Sequence, residues 1–338
     1  MEHSLDVPQL LGILCLMLGA AKLFGHLAQL VGQPSVLGEL LAGVILGKSA
    51  LGVVDPTGEV LHVFGELGVL ILLFSIGLET DLPNLLKAGP SAATVAVVGV
   101  ALPFALGYVV CLALGMPNLV AVVVGAAMTA TSVGITARVL ADLGRLHDPE
   151  GQVVLGAAIL DDVIGLVILT IVADLTGGHE VSTFGVLRTT AAAFGFLLVT
   201  VLAGRLIVPR LTPLLRRIDV PGTPAVLALM LAFGLAWLAD RSGSAVIMGA
   251  FAAGLLVVGT PAFHDVEVGV TRLGHFFVPL FFVTVGASVD VSVLNPTDPA
   301  NHRTLLIAGV LTLAAVAGKF ASGYAPFWFK AQEPDRRG

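Results

Sequence analysis

From residue 7 to residue 325 the chain is a near-continuous succession of apolar segments, punctuated by glycine, proline and short polar turns. Of its 338 residues, 57% are hydrophobic and 12% are charged, whereas a soluble domain carries about 25% charged residues. No soluble core could hide that much apolar surface, so the solvent of this chain is a bilayer. In hydrocarbon every backbone N–H and C=O must find its partner inside the protein, which leaves helices and closed barrels as the spanning structures. About 20 helical residues cross a bilayer core of about 30 Å. Eleven segments approach that length, at 7–30, 34–47, 59–79, 88–114, 117–141, 150–175, 184–210, 223–240, 244–258, 266–287 and 303–325. No long polar insertion separates them. The reading is an all-α polytopic membrane protein, with a transmembrane domain over 1–325 and a short polar cytoplasmic tail over 326–338, disordered from Lys330 onward.

Lysine and arginine accumulate on the cytoplasmic side of membrane proteins. With the N-terminus outside, the inner face holds Lys87, Arg138, Arg145, Arg205, Arg210, Arg216, Arg217, Arg272, Lys319, Lys330, Arg336 and Arg337. The outer face then holds Lys48, Arg188, Arg241 and Arg303, and Lys22 belongs clearly to neither. Twelve against four predicts an outside N-terminus and a cytoplasmic C-terminus. Removing one span would break the bias, so the charges also support the count. The formal net charge of −6 lies mostly in loops and gives no support to nucleic-acid binding. The first apolar stretch follows Met1–Asp6, which lacks a basic region, and reads as a retained span rather than a signal peptide. Cys15 and Cys111 fall in apolar segments without Cys-x-x-Cys spacing, and small buried hydrophobes are expected at both.

Two carboxylates break this apolar pattern. Asp161 and Asp162 lie in the middle of a membrane-length segment, ten uncharged residues from Glu150 and eleven from Asp174. An ionised carboxylate at mid-depth costs at least roughly 2.5–3.5 kcal/mol. Such a pair needs compensation, and it reads as a cation or proton site. Neighbouring residues lie about 100° apart around a helix. One aspartate can therefore bind a transported ion while the other pairs with something fixed.

One span earlier, Thr129, Thr131, Ser132 and Thr136 form a hydroxyl cluster around Gly134. Alone, such hydroxyls bond back to the preceding turn. Beside an aspartate pair, hydroxyls and freed carbonyls are hard ligands suited to a small cation. Glycine and hydroxyl residues in mid-span also predict a locally unwound helix, a device by which transporters built from inverted repeats hold ions near the midplane. The later spans show no equally polar break. Lys319 is the basic residue well inside the last span. It either snorkels to the interface or pairs with Asp161, and a pair that breaks and forms within a cycle could carry a proton.

Glu39 and Glu66 also lie within spans and read as interface-facing or helix-packing. Asp174, Asp240 and Asp290 sit at helix ends and read as solvated. The eight histidines show no ligand spacing, so no resident metal and no organic cofactor is expected. There is no phosphate loop, Ser-His-Asp arrangement or dinucleotide fingerprint in context, so neither an enzyme nor a nucleotide-driven pump is indicated.

Several segments together resemble one family. Gln33-Pro-Ser-Val-Leu-Gly-Glu-Leu-Leu-Ala-Gly-Val-Ile-Leu-Gly47 looks like its second-helix signature, and Glu66-Leu-Gly-Val-Leu-Ile-Leu-Leu-Phe-Ser-Ile-Gly-Leu-Glu79 like its third. Thr131-Ser-Val-Gly-Ile-Thr-Ala-Arg-Val-Leu140 resembles its broken helix, and Leu160-Asp-Asp-Val163 its aspartate helix. Phe277-Val-Pro-Leu-Phe-Phe-Val-Thr-Val-Gly286 and Gly318-Lys319 resemble late-helix motifs. In combination these are similar to the monovalent cation:proton antiporters of the Kef and Nap type, over about residues 8–325.

The resemblance implies an inverted-repeat antiporter fold of thirteen helices, N-terminus outside and C-terminus inside. It implies a homodimer with a panel domain at the interface and a core domain that moves across it. Asp162 matches the ion-binding aspartate and Asp161 its acidic neighbour. Lys319 matches the lysine that pairs with that neighbour in electrogenic members, and Thr131 and Ser132 match the unwound segment. The metal held is then the transported Na⁺ or K⁺ at Asp162 only. Family members continue with a Pro-Arg-Gly-Glu-like segment in a second broken helix and then a final helix, so about eleven of the thirteen helices are expected here, in a C-terminally truncated domain.

The activity expected is exchange of a monovalent cation, Na⁺ before K⁺, for H⁺, the two competing for Asp162. Doublet and lysine together predict an electrogenic stoichiometry. The nearest rival is a Kef-like K⁺/H⁺ exchanger or K⁺ efflux protein, which would normally bring a cytosolic nucleotide-binding domain. A non-transporting membrane remnant is a second rival. A symporter for an organic solute is a third, for which no polar residues are obviously reserved.

Overall fold

The computed structural model describes residues 6–80, 82–176, 183–215, 220, 222–258, 260–297 and 301–325. Among these residues there are twelve α-helices: α1 (Val7–Leu30), α2 (Ser35–Leu46), α3 (Glu59–Glu79), α4 (Leu82–Ala113), α5 (Asn118–Thr129), α6 (Val133–Asp142), α7 (Pro149–Thr176), α8 (Thr183–Leu215), α9 (Thr223–Arg241), α10 (Val246–Val257), α11 (Phe263–Ala287) and α12 (His302–Gly323). A single 3-10 turn, Val291–Leu294, precedes α12. β-pairing among the described residues amounts to one isolated bridge between Gly47 and Val54.

Helices α5 and α6 are the two halves of the expected fifth span, so the eleven expected spans are all present. Nine segments are long and apolar enough to cross a membrane, with Asn118–Asp142 counted as one of them. The other two, α2 and α10, have 12 residues each, about 18 Å of helix. The tail 326–338, with Lys330, Arg336 and Arg337, lies outside the described residues, as do Arg216 and Arg217.

Local chemistry sets the ends that matter. Pro8 and Pro224 stand in the first turns of α1 and α9, where a missing N–H costs nothing. Helix α6 stops in a Schellman arrangement: Arg145 N–H bonds Leu140 O at 2.9 Å and Gly144 N–H bonds Ala141 O at 2.9 Å. Gly144 has φ 66°, a left-handed conformation that only glycine adopts without strain. The stop leaves Asp142 in the last turn of α6.

The helices pack as two groups. In one, α3 lies between α10 and α11, α11 also contacts α1 and α2, and α9 lies on α10. In the other, α4 packs on α7, α5 and α12, while α7 packs on α5 and α6. Helix α8 touches both groups, through α7 and α10. Helix α6 also reaches across, to α3 and α2. Within the first group, glycine lets backbones meet. A Cβ on Gly254 of α10 would lie 2.7 Å from Gly77 Cα of α3, and one on Gly286 of α11 would lie 3.0 Å from Gly43 Cα of α2.

The outer surface is apolar, with Leu11, Leu16 and Leu23 of α1, Leu198 and Leu202 of α8, and Leu313, Val316 and Phe320 of α12 all exposed. That is the surface a bilayer solvates. It corrects one expectation: Cys111 is buried, but Cys15 is exposed, because α1 lies at the edge of its group and turns that residue outward.

Candidate functional site

The break between α5 and α6 spans three residues. Ala130 has φ −58°, ψ 124° and Ser132 has φ −75°, ψ 110°, so the backbone is extended there. The hydroxyls around it give the backbone alternatives to helical bonds. Thr129 Oγ1 donates to Ala126 O at 2.7 Å, and Thr131 Oγ1 donates to Thr129 O at 3.2 Å. Ser132 Oγ accepts Ile135 N–H at 3.2 Å and so caps α6. Thr129 is buried, at 2% exposure. The carbonyl end of one helix and the amide end of another thus face each other across three residues, a negative and a positive partial charge.

Helix α7 brings Asp161 to this break, with Asp162 the next residue on the helix. They are the thirteenth and fourteenth of its 28 residues. Lys319 of α12 reaches Asp161: its Nζ lies 3.3 Å from Asp161 Oδ2, 2.5 Å from Thr131 Oγ1 and 3.3 Å from Thr129 O. The ammonium therefore meets a carboxylate, a hydroxyl and the last carbonyl of α5 at once. Side-chain exposure is 7% for Asp161 and 35% for Lys319.

Two glycines make that reach possible. A Cβ on Gly99 of α4 would lie 3.8 Å from Lys319 Nζ, and one on Gly318 of α12 would lie 3.2 Å from Pro103 Cγ of α4. Helix α12 can therefore lie close on α4 with its lysine passing over bare backbone.

Asp162 differs from its neighbour. Its Oδ2 is buried and, among the described residues, has no hydrogen-bond partner. Leaving such a group unsatisfied costs about 1–3 kcal/mol, and more when it is charged. A proton or a cation at this oxygen would remove the cost.

Of the expected site residues, Lys319 contacts both Asp161 and Thr131. Ser132 stands in the same break with its hydroxyl on the cap, and Asp162 follows Asp161 on the same helix. Of the remaining acids, Glu39 is buried within α2, while Glu66, Asp240 and Asp290 are exposed and Asp174 is half-buried. Asp290 accepts Ser292 N–H at 2.9 Å in its own turn, and the Ser292 hydroxyl and then this N–H hold its carboxyl below the usual range. Among the described residues, no group of three His, Cys, Asp or Glu could hold a metal ion.

Sequence reasoning missed a second polar set, Ser35 with Arg138 and Asp142. Its visible trace was the i, i+4 spacing of an arginine and an aspartate on one short helix.

Over residues 13–334 the chain matches the family model described as sodium/hydrogen exchanger, transmembrane. The chain belongs to that family. The high-affinity Na⁺/H⁺ antiporter NhaS3 of Synechocystis sp. is 40% identical to it, over 91% of this chain and 74% of that protein. A glutathione-regulated potassium-efflux system protein, KefC of Salmonella schwarzengrund, is 29% identical, over 88% of this chain and 48% of its own length. Among solved structures, the sodium proton antiporter MjNhaP1 of Methanocaldococcus jannaschii superimposes with a TM-score of 0.65 at 18% identity, over 98% of this chain and 81% of that one. That last likeness shows the fold: an all-α, multi-pass antiporter-type bundle.

Proposed function

We propose that this protein is a secondary antiporter that exchanges Na⁺ for H⁺, the two ions taking turns on the carboxylate of Asp162. The observation that carries this reading is the split of the aspartate pair. Asp161 has a cation and Asp162 Oδ2, one residue on, is buried with none. A bare carboxylate is costly in the membrane, so the site crosses the barrier neutralised, by a proton in one direction and by the alkali cation in the other. Hard oxygen ligands for the cation are the Asp162 carboxylate, the hydroxyls of Thr131 and Ser132, and carbonyls of the extended break. A hydroxyl oxygen has two acceptor sites, so the cap made by Ser132 leaves one for an ion.

Na⁺ is favoured over K⁺ because the relative named for Na⁺/H⁺ exchange is more similar than the one named for potassium efflux. No covalent chemistry is involved, so the protein acts as a transporter and not as an enzyme. Residues 1–325 form the transport domain and 326–338 a cytoplasmic tail. The protein sits in the plasma membrane with its N-terminus outside, as a homodimer. The α3-centred group serves as the panel, and the α4-, α7- and α12-containing group as the moving core.

The test is sodium-driven pH change in proteoliposomes. Asp162→Asn is expected to abolish it while the protein still folds and inserts, and full exchange by that variant would overturn the assignment. Lys319→Gln is expected to retain exchange and lose its dependence on membrane potential. Unchanged potential dependence would mark the lysine as structural.

A further inference from the structure

The second polar set lies where the two groups of helices meet. Asp142 ends α6, and Ser35 begins α2. Asp142 Oδ2 accepts Ser35 N–H at 3.0 Å and Ser35 Oγ–H at 2.7 Å. Its Oδ1 lies 3.0 Å from Arg138 Nε, and Arg138 Nη2 donates to Ser35 Oγ at 3.3 Å. A carboxylate on the first N–H groups of a helix is also favoured by the positive end of the helix dipole. Beyond these bonds, α6 meets the first group through apolar contact. A Cβ on Gly134 would touch Leu72, Leu73 and Val69 of α3 at 3.5–3.7 Å.

The two kinds of contact differ in what they permit. Apolar burial is non-directional, so α6 can slide along α3 at small cost. Three directional contacts, two from Asp142 and one from Arg138 to Ser35, fix one register and no other. Further along α2, Glu39 is buried with its Oε2 unpartnered among the described residues. Arg138 of α6 is tied to α2 directly through Ser35 and indirectly through Asp142.

The same helix connects this set to the ion site. α6 has 10 residues, capped by Ser132 at the break and ended by Asp142, about 15 Å of rigid rod. We infer that Asp142, Arg138 and Ser35 form a latch that holds the ion-site group of helices in register against α2, and that the latch opens in every transport cycle. A shift of α6 at the break moves Asp142 as one body. The inference rests on the proposed antiport by relative movement of the two groups. It assigns to Asp142 and Ser35 a part in that movement, with no contact to the ion.

Two measurements test it. Ser35→Cys and Asp142→Cys are combined with Cys15→Ala and Cys111→Ala, the pair is joined by a short thiol cross-linker cleavable by reductant, and sodium-driven proton movement is followed in proteoliposomes. The uncross-linked protein is expected to exchange. Cross-linking should cut exchange at least tenfold, and reduction should restore it. Complete cross-linking with unchanged exchange overturns the latch, as does failure of the pair to cross-link at all. Absence of exchange in the wild type would count against the antiport reading itself.

The second measurement does not depend on transport. Asp142→Asn, followed by hydrogen exchange, is expected to raise amide exchange at least tenfold throughout α6 and in the first turn of α2, with α9 unchanged. A rise confined to the first turn of α2 would make Asp142 a helix cap only, and the latch would fail.

Discussion

Asp161 and Asp162 are adjacent, yet about 100° of helix rotation gives them unlike surroundings. Lys319 and Thr131 occupy one direction, and Asp162 Oδ2 points where no donor meets it. If the Lys319–Asp161 pair is what keeps both charges in place, removing either partner strands the other. Asp161→Asn and Lys319→Gln are each expected to destabilise the protein by about 1–3 kcal/mol, with the one-third exposure of Lys319 holding the value toward the lower end. The double variant should cost less than the sum, read from thermal unfolding in detergent. Additivity within about 0.5 kcal/mol would show that the two are not coupled. This much of the site was legible beforehand, because a charge in an apolar segment demands a partner and the chain offers few. Ser35 and Asp142 were not legible: 107 positions separate them, and each alone reads as an ordinary helix-end residue. The outward turn of Cys15 was hidden for a related reason, since an apolar segment does not say which of its faces meets lipid.

At the scale of elements, the break between α5 and α6 decides the most. The run Thr129–Thr136 predicted an unwound stretch. The extended part is narrower, Ala130 to Ser132, because Ser132 caps α6 at once and the helix resumes at Val133. Removing the cap in Ser132→Ala is expected to cost about 1 kcal/mol, and Ser132→Asn, which also caps, to recover most of it. Unfolding midpoints of the three proteins check this, and equal midpoints would show that the cap does not hold the break. The span boundaries were legible to within a few residues, because glycine, proline and charge mark helix ends. The largest error was at α4, which starts at Leu82 instead of 88. There Pro90 lies inside the helix and resembles a start signal. Which helices touch was not legible, since the backbone contacts at Gly43 with Gly286 and Gly77 with Gly254 join distant segments through residues that carry no side chain to announce them.

For the whole molecule, the grouping of helices says what can move. The set holding the aspartates and Lys319 meets the α3-centred set through α6 and α8, and α6 carries the ion site at one end and the Asp142 contact at the other. On the antiport proposed above, this group moves against the other and carries the candidate ion site with it. The account stands on one claim, that a proton and a sodium ion exclude each other at Asp162. The most direct measurement is calorimetric titration of Na⁺ into the purified protein across a range of pH, in two buffers of different ionisation enthalpy. Below the titration midpoint of the site, the apparent Kd is expected to rise at least tenfold for each unit the pH falls, with at least one proton released per sodium bound. Binding that stays equally tight as the site protonates, with no proton released, would contradict the claim.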